Sequence, residues 1–176
     1  MKILRLVVAI AFVIGPISVF AQYKQSTDTL LDHMTGKWLL KGVIAGRNIE
    51  HDISVSWVLG HQYIEMKETS HEKLADGTPS YEAIVFISRD ESRNKYDCLW
   101  LDNTSNSGLS NEIIAHTKPE PDRIALLFKF NDATYFHTTL TFNKVSNSWH
   151  WLMTNEENGK TTLFADAIMS KFQQKP

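Results

Sequence analysis

The sequence predicts an all-β fold: an antiparallel up-and-down β-barrel of about ten strands, preceded by a short N-terminal helix. Three observations carry this. From Gly36 onward helical periodicity gives way to about ten short stretches rich in β-branched and aromatic residues. The segments between them are short and built from Gly, Asn, Asp, Ser and Pro, the residues of tight turns. No helical crossover is present to join strands in parallel, so neighbours pair as hairpins, and closing the meander removes its two open edges. A β-sandwich is the main alternative, because it too yields regular short strands.

The elements follow in order. Residues 1–21 read as a secretory signal peptide: Lys2 and Arg5, then the apolar run Leu6 to Ile14, then Gly15-Pro16 and a tail ending in Val19-Phe20-Ala21, with cleavage expected after Ala21. The run is shorter than the roughly 18 to 20 residues that span a bilayer, and Gly15-Pro16 would break it, so no stable membrane insertion is expected once the signal is removed. Residues 22–35 form a polar lead and a helix over Thr27 to Met34, with Thr27 or Asp28 as its cap and Leu30, Leu31 and Met34 on one side. Residues 36–172 form the barrel domain. Its strands are Trp38 to Ala45, Ile49 to Leu59, Gln62 to His71, Tyr81 to Ser88, Lys95 to Asp102, Glu112 to Thr117, Arg123 to Phe130, Tyr135 to Phe142, Ser148 to Thr154 and Lys160 to Phe172.

Several strands are apolar on both faces. Ile124, Leu126, Phe128 and Phe130 alternate with Ala125 and Leu127, and Trp149, Trp151 and Met153 alternate with His150, Leu152 and Thr154. One face fills or lines the barrel, and the other needs a cover from the helix or a second subunit, so a homodimer is one expectation.

Composition narrows the function classes. A chain of 176 residues fits one domain. Sixteen apolar residues fall in the first 21 positions, so the 43% hydrophobic content drops to roughly 39% beyond them, still enough for a core. Beyond that segment sixteen basic side chains face twenty acidic ones, about −4 in net charge, which argues against nucleic acid as a partner. Cys98 is the only cysteine, so no internal disulfide forms; its alternation with Tyr96 and Trp100 makes it a buried apolar side chain rather than a reactive thiol.

At Gly36-Lys37-Trp38, directly after the helix and at the start of the first strand, the chain resembles the Gly-x-Trp signature of lipocalins and the wider calycin group. Two further stretches are similar to an uncharacterised lipocalin-like family of exported bacterial proteins known only as a domain of unknown function. Trp57-Val58-Leu59-Gly60-His61-Gln62-Tyr63-Ile64-Glu65 resembles that family's hairpin between its second and third strands. Tyr81-Glu82-Ala83-Ile84-Val85-Phe86, followed by Asp90, Tyr96, Trp100 and Asp102, resembles its central hairpin. The resemblance spans most of residues 30 to 170. It implies a calycin-like barrel, a periplasmic or secreted location, an inward Trp38 plugging one end, and Lys171 as candidate for the closing basic residue of lipocalins.

A barrel of this size is either filled or encloses one ligand cavity. The functional expectation is therefore a non-enzymatic protein that binds a small hydrophobic or amphipathic molecule. With the Trp38 face inward, candidate lining residues are Trp57, Tyr63, Phe86, Trp100, Phe128 and Trp151, which would equally serve as plain core. Tyr135, His137, Thr139 and Thr141 form one strand face, a polar row expected to point inward and to bond a ligand head group.

Two other classes stay open: a self-associating interaction module, and a hydrolase or isomerase using His137 and Tyr135. For acid/base work Glu68 shares a face with Met66 and points inward if register allows, while Asp97 and Asp102 flank the fifth strand. No Gly-x-Ser-x-Gly, phosphate loop or His-Glu-x-x-His motif occurs. His51, His61, His71, His116, His137 and His150 are dispersed without metal-ligand spacing, so neither a metal nor a cofactor is expected, and haem is an analogy only. Asn103-Thr104-Ser105 fits a glycosylation acceptor that would matter only in a eukaryote.

Overall fold

A computed structural model describes residues 27–104, 108–109 and 113–172. The expected signal peptide, the start of the polar lead, Ser105 and Glu112 lie outside the described residues. The chain forms one short helix, α1 (Thr29–Met34), and ten strands: β1 (Gly36–Ile44), β2 (Arg47–Val58), β3 (Tyr63–Ser70), β4 (Glu82–Asp90), β5 (Lys95–Asp102), β6 (Ile114–Thr117), β7 (Arg123–Lys129), β8 (Thr134–Asn143), β9 (Ser148–Glu157) and β10 (Lys160–Lys171). Each strand pairs antiparallel with the next, and β1 pairs with β10, giving a closed up-and-down barrel. The sandwich alternative is thereby excluded.

Turn chemistry sets the hairpins. Ala45-Gly46 and Asn158-Gly159 each place two consecutive residues at positive φ between directly paired strand ends, Ile44 with Arg47 and Glu157 with Lys160. That is the two-residue turn whose twist matches antiparallel strands. The hairpin after β2 strings Leu59, Gly60 and His61 at positive φ, and His61 stacks on Trp57 with ring centroids 4.0 Å apart.

The helix plugs one end of the barrel and leaves the outer wall uncovered. Asp28 is its cap, accepting from the backbone N–H groups of Leu30 and Leu31 at 3.0 Å, so the helix begins two residues later than the sequence suggested. Its other carboxylate oxygen accepts the Tyr96 hydroxyl at 2.6 Å, tying the cap to β5. Leu30, Leu31 and Met34 are buried against the barrel floor, and the Trp38 indole N–H donates to the Met34 carbonyl at 2.6 Å. At this closed end the interior is packed solid with Trp38, Leu40, Ile53, Ile64, Ile87 and Trp149. Trp149 Nε1 is buried with no hydrogen-bond partner among the described residues.

Gly42 sits where β1 meets β10. A Cβ there would lie 2.3 Å from the Asp166 carbonyl oxygen and 2.4 Å from the Ala167 Cα, so only glycine permits this approach. Cys98 is buried, and burial pushes its thiol up to about 12, in keeping with an unreactive core residue.

Candidate functional site

The far end of the barrel is hollow. Where β1 finishes and β10 begins, the interior side chains leave a cavity of about 420 Å³. That lies within the roughly 300 to 1,000 Å³ of ordinary small-molecule sites. Its wall is largely apolar, from Ile44, Ile113, Met153, Phe128, Phe136 and Phe164. The rings form a chain: Trp151 meets Trp100 at 5.5 Å, Trp100 meets Phe128 edge-on at 6.5 Å, and Phe128 meets Phe136 at 6.5 Å. Phe136 then meets Phe164 at 5.4 Å, near perpendicular. Phe164 is the extra residue of a bulge, with Leu163 opposite Thr154 and Ala165 opposite Met153, and the bulge turns its ring toward the mouth.

Polar side chains also line the cavity, Thr104 and Asn155 among them, and four titratable ones carry its chemistry. His51 on β2 and Glu68 on β3 face each other, His51 Nδ1 to Glu68 Oε1, at 2.6 Å, and both are buried. Ile53 is the direct partner of Glu68, so the pair is a diagonal cross-strand contact on the inner face. Tyr81 stacks over His51 with centroids 5.7 Å apart, and its hydroxyl accepts the Trp100 indole N–H at 3.2 Å. It enters from the loop before β4, held there by Ser70: the Ser70 N–H donates to the Tyr81 carbonyl and the Tyr81 N–H to Ser70 Oγ. Asp102, at the end of β5, completes the set.

Burial pushes Glu68 above the usual glutamate range; the His51 hydrogen bond and charge oppose this, and the Asp102 carboxylate adds to it. Burial also raises the Tyr81 hydroxyl, with the Glu68 and Asp102 charges adding, so Tyr81 stays neutral. Among the described residues lining the cavity none is Lys or Arg, and the sequence from 103 to 113 contains neither.

The residues expected from the sequence divide among four places. Trp100 and Phe128 line the cavity. Trp151 lies beneath it, sealed in the core, its indole N–H donating to Thr138 Oγ1 at 2.6 Å. Trp57 belongs to the closed end, where its N–H donates to Asp32 Oδ1 at 2.8 Å.

Tyr63, Phe86, Tyr135 and His137 occupy the outer wall, contrary to the inward expectation. Ile64, Val85 and Ile87 take the buried positions on β3 and β4, which turns Tyr63 and Phe86 outward. On β8 the inward row is Phe136, Thr138, Leu140 and Phe142, so the polar row of Tyr135, His137, Thr139 and Thr141 faces out, and His137 Nε2 meets Glu156 Oε2 at 2.8 Å. Catalysis by His137 and Tyr135 inside the barrel is thereby ruled out.

Glu68 was visible in the sequence only as a conditional inward residue. His51, in phase with Ile49, Ile53 and Val55, carried the same signal unread. No three His, Cys, Asp or Glu side chains gather as a metal site among the described residues.

A second hollow of about 420 Å³ lies at the closed end, beside Asp28, Arg89, Tyr96 and Glu120. It is polar, and the Asp28 carboxylate there is already engaged by Tyr96 and, at 3.5 Å, by Arg89.

Compared with models of known protein families the chain matches none, and comparison with curated proteins also finds no match. The class that fold and site define is a closed ten-stranded barrel with one end plugged and an aromatic cavity at the other.

Proposed function

We propose that this is an exported, lipocalin-like binding protein that holds a small, partly apolar molecule in the cavity at the open end of its barrel. One observation supports the reading above all: inside the barrel the plugged end is filled by buried side chains while the other end keeps about 420 Å³ walled by Trp100, Phe128, Phe136 and Phe164, and the equally large hollow beside Asp28 has no such aromatic wall. A core selected only for stability would fill that space, because each void forfeits packing energy. The polar set of His51, Glu68, Tyr81 and Asp102 gives such a ligand a defined orientation.

Self-association through the outer wall draws on less. Val43 and Ile168 sit beside Lys41, Glu50 and Asp166, whereas Ile84 pairs with Leu101, and Leu99 with both Phe86 and Ile114, in a small apolar strip across β4 to β6 flanked by Lys67, Asp97 and His116.

The test is native mass spectrometry of the protein purified from its own host compartment. A retained small-molecule mass, lost from a Phe128→Ala, Phe164→Ala double variant that still folds, is the expected result. A bare chain that also fails to bind any member of an apolar compound library would overturn the proposal.

A further inference from the structure

We propose that the ligand class is a protonated amine carried on an aromatic or apolar body, its ammonium seated beside Glu68 and Asp102 and its body against the rings of Trp100, Phe128, Phe136 and Phe164. This rests on the binding reading above and names the head group that reading leaves open.

The charge count inside the cavity decides the head group. Two acidic side chains, Glu68 and Asp102, share the wall with one histidine, His51, which bonds Glu68, and no Lys or Arg among the described residues lines it. Arg47 and Lys160 lie at hairpin tips of the same end but are exposed and are not part of that wall. A carboxylate-headed ligand would bring its charge beside two acidic side chains, in a setting with little water to screen it, and would find no guanidinium or ammonium among the described lining residues to receive it.

A ligand without any polar head would cover the His51–Glu68 pair and the Asp102 carboxylate, whose Oδ1 accepts from the Thr104 N–H at 2.8 Å and hydroxyl at 2.6 Å, and would supply no counter-charge for the water it displaces. A protonated amine meets both demands. Its N–H groups donate to carboxylate oxygens in charge-assisted hydrogen bonds, and its positive charge is attracted to the faces of the surrounding rings.

The state of Glu68 fits the same partner. Burial disfavours its ionised form, and His51 makes contact with Oε1. A cation beside it restores the carboxylate that burial opposes. Tyr81, neutral and hydrogen-bonded to Trp100, holds the wall beside His51 without adding charge.

The test uses isothermal titration of the full chain with three probes that share one indolylethyl body and differ only in the head: tryptamine, tryptophol and indolepropionate. The expected order is tryptamine tighter than tryptophol by at least about tenfold, and indolepropionate weakest. Glu68→Gln and Asp102→Asn, each checked for folding by circular dichroism, should bring tryptamine down toward tryptophol and so shrink the amine preference to less than about threefold.

If indolepropionate binds as tightly as tryptamine, or if tryptamine affinity survives both substitutions, the amine assignment is wrong while the binding reading stands. If none of the three probes binds while the apolar library yields a ligand, the amine assignment is wrong and the binding reading stands; if neither the probes nor the library binds, both fail.

Discussion

The Lys171 ammonium lies 3.8 Å from the centroid of the Trp38 ring and donates to the Thr35 carbonyl at 2.6 Å. One side chain at the end of β10 therefore fastens the last turn before β1 to the tryptophan that seals the barrel floor. Lys171→Met keeps the aliphatic stem and removes both contacts. The expected loss is about 1 to 3 kcal/mol in urea denaturation. An unchanged midpoint would mean that the contact contributes nothing to holding the plug.

Gly42 has no room for a side chain. Gly42→Ala would drive a methyl group against the backbone of Asp166 and Ala167, and backbone cannot swing aside as a side chain can. The β1–β10 seam must then open locally. A thermal melt should show a loss of about 1 to 3 kcal/mol, whereas the same change at Gly46, where a Cβ meets nothing, costs only its left-handed backbone strain.

Glu68 makes stability depend on pH in a defined sense. Its folded-state acidity is weakened relative to the ordinary value of 4.5, because burial penalises the carboxylate more than His51 relieves it. A raised folded pKa means that the stabilising contribution is fully present below 4.5 and is lost as pH rises through the folded value. Glu68→Gln removes that decline while keeping a side chain able to bond His51. Urea midpoints from pH 4 to pH 7 should fall for the unmodified protein relative to the variant. Parallel profiles would show that His51 compensates the carboxylate completely.

The outer pair of His137 and Glu156 is solvent-accessible and should be dispensable for binding. His137→Ala is expected to cost less than about 1 kcal/mol of stability. With Tyr135→Phe added, the affinity for any ligand that Trp100→Ala weakens should stay unchanged. A loss of affinity in this outer double variant would place the binding surface on the wall rather than in the cavity.

The barrel was legible in the sequence because its turns are chemically explicit. Asn158-Gly159 falls in the expected separator after the ninth strand, whereas Ala45, read as the end of the first strand, takes the left-handed turn position beside Gly46. The face assignment of β8 was harder. Both of its rows are amphipathic, and the interior took the row with two phenylalanines and a leucine over the row with histidine and tyrosine, as burial energetics require.

The polar cluster escaped for a different reason. His51 and Glu68 stand seventeen residues apart and meet only through the β2–β3 register, while Tyr81 arrives from a loop. Single-strand alternation marks each as inward but cannot say that three inward residues from different segments converge.

Because β1 and β10 are hydrogen-bonded neighbours, with the Phe172 N–H donating to the Lys37 carbonyl, the chain enters and leaves the barrel at the plugged end. A tether attached beyond either strand therefore holds the molecule by its base. Anchored to a bead or a sensor chip in this way, every copy presents its mouth to the surrounding solution, whichever terminus carries the linker.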